Sequence, residues 1–137
     1  MKRLLEFEDE YDFSLLGISC HAKDYRLCWE MNNALSMDLE KGEPIIGKGK
    51  DDEENHFSTS EYFDEDNHLQ YTLISNKFNG KLLIPEHPQL DYFLKLNGPQ
   101  HDYELEDIKQ RVQNIDLVLA ALEVNPKNLK SKLNLVF

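Results

Sequence analysis

The sequence predicts an α+β domain: a single mixed, mostly antiparallel sheet with two helices packed on one face. Three observations predict it. Several short stretches alternate apolar and polar residues with a period of two; two stretches of about a dozen residues keep helical spacing instead; and the order is strand, helix, a run of antiparallel strands, strand, helix, strand. A length of 137 residues fits one domain over 1–137, since two would each be too small to hold a core.

Residues 11–20 read as a buried central strand, because Phe13 and Leu15 lie on one face and Leu16, Ile18 and Cys20 on the other. Residues 22–36 read as a helix: Leu27, Cys28, Met31, Ala34 and Leu35 fall on one stripe, with Lys23, Arg26, Glu30 and Asn33 opposite. Tyr25 and Trp29 flank that stripe, and Asn32 lies between them and its centre, where a buried amide needs a partner. A short strand follows near 38–43. Gly42, Pro44, Gly47, Gly49 and the acids from Asp51 predict a flexible acidic loop over 44–56. Residues 57–64, 69–77 and 81–84 then predict a three-stranded meander, its last turn marked by Asn79-Gly80. Pro85 ends that run. Residues 91–97 form a strand, 103–114 a helix with Leu105, Ile108 and Val112 in register, and 117–124 a last strand stopped by Pro126. The strand-helix-strand unit over 91–124 has the shape of half a ferredoxin-like sandwich.

Charge narrows the partners. There are 26 acids against 15 bases, and the imbalance is one-sided: residues 1–66 hold 18 acids and 7 bases, residues 67–137 eight of each. Such a surface repels nucleic acid and anionic lipid, so neither is expected as a partner; a basic protein or a second copy of the chain remains open, as does a small-molecule ligand. No run of about 20 apolar residues or signal-like start is present, which places the protein in the cytoplasm, with Cys20 and Cys28 as buried, reduced thiols.

The motifs exclude more chemistry than they support. Gly47-Lys-Gly-Lys50 lacks the spacing of a phosphate loop and is followed by Asp51 and Asp52. The acidic clusters lack the alternation and the glycine of a calcium loop, and the five histidines have no zinc spacing, so no metal or cofactor is expected. No activated serine or cysteine is recognisable, which argues against an enzyme. Tyr25, Arg26 and Trp29 form the candidate binding surface, because these residue types dominate interface hot spots. Glu86, Asp91 and Tyr92 are the second candidate set, with Glu86 and Asp91 a conceivable carboxylate pair; the simpler expectation is a structural corner whose carboxylates accept backbone N–H groups.

The segment Ile84-Pro-Glu-His-Pro-Gln-Leu-Asp-Tyr92 resembles the signature of the IPExxxVDY family of small bacterial proteins, with Leu90 where the family name has Val. Tyr11-Asp-Phe, Leu16-Gly-Ile18, Lys23-Asp-Tyr-Arg-Leu-Cys-Trp29, Leu73-Ile-Ser-Asn-Lys77 and Val118-Leu-Ala-Ala121 support the likeness. The resemblance implies a single bacterial cytoplasmic domain and brings with it no activity, substrate or catalytic residue. The function expected from the sequence is therefore a non-enzymatic protein-interaction or self-association domain. The alternative is a small-ligand-binding regulatory domain with a ferredoxin-like half.

Overall fold

A computed structural model describes residues 13–48, 54–99 and 102–137. The elements are β1 (Ser14–Ser19), α1 (Asp24–Leu35), β2 (Glu40–Lys41), β3 (Ile45–Lys48), β4 (Glu54–Phe57), β5 (Thr59–Asp64), β6 (Leu69–Ser75), β7 (Lys77–Phe78), β8 (Lys81–Leu82), β9 (Tyr92–Asn97), α2 (Asp102–Gln113) and β10 (Ala120–Val124). Two 3-10 turns, Pro126–Asn128 and Lys132–Leu135, follow β10.

The main sheet runs β10-β1-β9-β6-β5-β2, every neighbour antiparallel. Because β9 and β10 both oppose β1, they run parallel to each other with β1 between them. By the same logic β1 and β6 run parallel on either side of β9. The chain thus interleaves two split β-α-β units, the ferredoxin-like arrangement, and extends it by β5 and β2. The sequence showed only the second of these units, over 91–124.

Both helices lie on one face, as expected. Leu27 and Met31 of α1 are wholly buried, and with Ile108 and Val112 of α2 they cover Leu16, Ile18, Leu73, Leu94 and Leu96. Helix α1 ends at Ser36, whose left-handed backbone turns the chain back. The Asn32 amide then takes both groups of Leu39: Oδ1 accepts the Leu39 N–H at 2.8 Å and Nδ2 donates to its carbonyl at 3.5 Å. The partner required for a polar residue beside the apolar stripe is therefore the loop leaving the helix.

The opposite face is covered too, which explains why β1 is apolar on both sides. Phe13, Leu15, Ile74, Phe93 and Val124 meet Leu83, Ile84 and Leu90 of the corner before β9, Phe57 of β4, and Leu129 and Leu135 of the tail. Gly17 makes room for this packing: a Cβ there would collide with the Leu90 side chain.

Three segments differ from expectation. The stretch 44–56 is not simply a loop, because β3 and β4 pair from Ile45↔Phe57 to Lys48↔Glu54. Ile45 and Phe57 anchor the open end of this ribbon against the second core, and the surrounding glycines, proline and charges mask so short an apolar signal. Residues 49–53, within that loop, lie outside the described residues, as do 1–12 with their acidic cluster. The alternating run 57–64 is broken at Ser58: Phe57 closes the ribbon and Thr59 opens β5. The meander is also divided. The Asn79-Gly80 turn forms as predicted, both residues at positive φ (47° and 76°), but its arms β7 and β8 pair only with each other, and the second neighbour of β6 is β9.

Candidate functional site

The first turns of α1 raise Tyr25, Arg26 and Trp29 above the sheet. Leu27 and Met31 fix the helix by its buried stripe, and the helical pitch then leaves the i, i+4 pair Tyr25 and Trp29 outside it. Their exposure is 69% and 60%. The Arg26 guanidinium lies 5.8 Å from the Trp29 ring centre and pairs with Glu30 at 3.5 Å. Beside the rings runs a groove of about 390 Å³, completed by Asp24, Cys28, Asn32, Leu39, Lys41 and Ser60. Leu39 and Cys28 are buried groups that make its floor apolar, and Asp24 and Lys41 supply one charge of each sign. Burial pushes the Cys28 thiol up, against a hydrogen bond with Ser60 that lowers it. The shift favours the neutral thiol over the reactive thiolate.

The second candidate set does not form one site. Asp91 is buried; Oδ2 accepts the Cys20 N–H at 2.8 Å, and Oδ1 pairs with the Lys77 ammonium. Glu86 instead reaches the tail, accepting the Ser131 N–H and hydroxyl, each at 2.8 Å. Burial raises the Glu86 carboxyl, but these hydrogen bonds outweigh it and hold the group below its usual range. The Tyr92 hydroxyl donates to the Ala22 carbonyl at 2.6 Å, and burial pushes the phenol up. The two carboxylates thus serve different neighbours, each accepting a backbone N–H from outside the corner, Cys20 for Asp91 and Ser131 for Glu86, whereas the sequence reading expected N–H groups within it. Asp91→Asn is expected to lower stability by about 0.5–2 kcal/mol and Glu86→Gln by less, by analogy with lost caps. Thermal melts of the two variants measure this; unchanged melting in both removes the structural role.

The residue that organises the corner is one the sequence did not single out. Asn76 is 0% exposed. Its Nδ2 donates to the His87 and Leu90 carbonyls at 3.2 and 2.8 Å, and its Oδ1 accepts the Ile84 N–H at 2.7 Å. Its main chain also donates to the Asp91 carbonyl and accepts from Leu83. An asparagine at a strand end reads in sequence as a turn residue, and no local signal distinguishes this one. Leu39, Lys41 and Ser60 were likewise missed as groove residues, since only the β2–β5 pairing brings them beneath α1.

Among the described residues no three histidine, cysteine, aspartate or glutamate side chains gather as a metal site, and no helix is long and apolar enough to cross a membrane. No family model, curated protein or solved structure matches the chain.

Proposed function

We propose that the protein is a non-enzymatic interaction domain of the IPExxxVDY type that takes an apolar side chain of a basic protein segment into the Tyr25–Trp29 groove, in a bacterial cytoplasm. One observation carries the proposal: two large rings stand exposed on one helix face, beside a groove with an apolar floor. Exposed aromatics beside a concave apolar site are the anatomy of a hot spot, and the enclosing α1, β2 and β5 belong to the acidic half of the chain, which favours a basic partner. The family likeness is carried by the Ile84–Tyr92 motif, with the supporting segments from Tyr11 to Ala121 beside it.

A groove of about 390 Å³ also falls within the size range of small-molecule pockets, which supports a small ligand as the second reading. Trp29 is the only tryptophan, so its emission reports on the groove directly. The isolated protein is expected to show red, solvent-like emission that acrylamide quenches readily. Capture from a native extract is expected to retain a basic protein that Trp29→Ala and Tyr25→Ala lose by about tenfold or more, with unchanged melting. Blue-shifted, quencher-resistant emission from the isolated chain defeats the reading, as does capture indifferent to both substitutions. A small molecule recovered from the purified protein, and absent from the Trp29→Ala variant, supports the ligand reading instead.

A further inference from the structure

The two edges of the main sheet differ in kind. At one end β2 has only two residues, Glu40 and Lys41, both charged and exposed, and Glu40 stands directly opposite Glu61. Short length and charge are the usual protections of an edge, and two like charges on the last strand pair discourage a further strand. At the other end β10 has five residues, Ala120-Ala-Leu-Glu-Val124, with β1 on one side and no strand on the other among the described residues. It has no proline, no lysine and no bulge in its pairing, which runs from Leu15↔Val124 to Ser19↔Ala120. Leu119, just before the strand, is 64% exposed. Leu122, opposite Gly17 of β1, is 37% exposed. A largely apolar strand with no described strand on its outer side is a template for another strand.

We infer that this edge pairs antiparallel with the same edge of a second copy, giving a closed two-fold dimer with one continuous sheet through both subunits. The charge distribution selects a second copy over other occupants. The excess of acid lies wholly in residues 1–66, whereas residues 67–137, which contain β10, balance eight acids with eight bases. The two strands at this edge, β1 and β10, carry one charged side chain between them, Glu123, so two copies can meet there with little like-charge repulsion and a strongly charged partner finds no complement. Antiparallel pairing centred on Leu122 sets Glu123 of one copy opposite Ala121 of the other. Parallel pairing would instead align Glu123 with Glu123. Protection of the β2 edge stops assembly at two copies, where two open edges would give a filament.

Sedimentation of the full chain tests this. Wild type is expected to be a dimer at about 100 μM, within the range of weak specific association. Leu119→Lys and Leu122→Lys are each expected to raise the dissociation constant about tenfold or more. Leu119 is mostly exposed, so its replacement leaves the fold intact. Amides of 120–124 are expected to gain hydrogen-exchange protection with rising protein concentration, and Trp29→Ala, distant from this edge in sheet order, is expected to dimerise normally. A monomeric wild type at that concentration overturns the inference. So does a dimer unaffected by both lysine variants, or one lost in Trp29→Ala while they retain it.

Discussion

Asn76→Leu is expected to lower stability by about 3–5 kcal/mol, read from urea midpoints, although leucine keeps asparagine's branched heavy-atom skeleton. The loss comes from neighbours. Leucine leaves the Ile84 N–H and the His87 and Leu90 carbonyls without their side-chain partner, at a site with no exposed surface through which water could replace it. Each buried group left unsatisfied costs about 1–3 kcal/mol. Asn76→Asp separates hydrogen bonding from shape. It keeps an acceptor for Ile84 but turns a carboxylate toward two carbonyls, so the folded state favours the protonated acid and its pKa rises. The unfolded chain then binds fewer protons than the folded one through the window between the two values, and stability of this variant increases as pH falls through it. A leucine variant within about 1 kcal/mol of wild type would show that the corner finds other partners.

The second large effect is electrostatic. Lys95 lies in β9 between Leu15 and Thr72 in register, and is 5% exposed. Its ammonium donates to the Leu135 carbonyl at 2.6 Å and stands 4.6 and 4.1 Å from the ring centres of Phe13 and Phe137. Burial pushes the group down to about 8. Since the unfolded side chain titrates near 10.4, the unfolded state binds more protons between those values, and stability rises with pH across that window by about 3 kcal/mol. Below the window both states are charged and the cost of burying the ammonium is fully present. Lys95→Met should remove this slope, so that its advantage over wild type shrinks as pH climbs; the subtraction cancels tyrosine and cysteine titrations common to both. The rings and the carbonyl favour the charge and oppose the shift. Parallel profiles for the two proteins would show that they cancel it.

These two residues also show where the sequence stops being legible. The helix wheel located α1 and placed Tyr25 and Trp29 at the rim of its stripe, because one face of a helix reports its environment within a dozen residues. Apolar groups on both faces of Leu15-Leu16 marked a strand covered on both sides. Lys95, by contrast, sits between Leu94 and Leu96 and reads as the solvent side of a half-buried strand; its burial depends on a tail some forty residues downstream folding over it. Asn76 owes its importance to carbonyls of a corner eleven and fourteen residues away. The ribbon formed by β3 and β4 was hidden because two apolar anchors, Ile45 and Phe57, are separated by a stretch dominated by glycines and charges that favour a loop. The division of the Glu86–Asp91 pair could not be read at all, since Ser131 and Cys20 come from opposite ends of the described chain.

The interleaving of the two split units has a consequence for how the protein is made. Leu15 pairs with Lys95 on one side and Val124 on the other, so during synthesis β1 waits for both of its neighbours until the residues through Val124 have been made. During that wait the apolar stripe of α1 has no sheet to cover, and pairings this distant in sequence close slowly. A nick in the corner between β8 and β9 would yield two pieces of which neither carries a complete central sheet, each stable only in the company of the other.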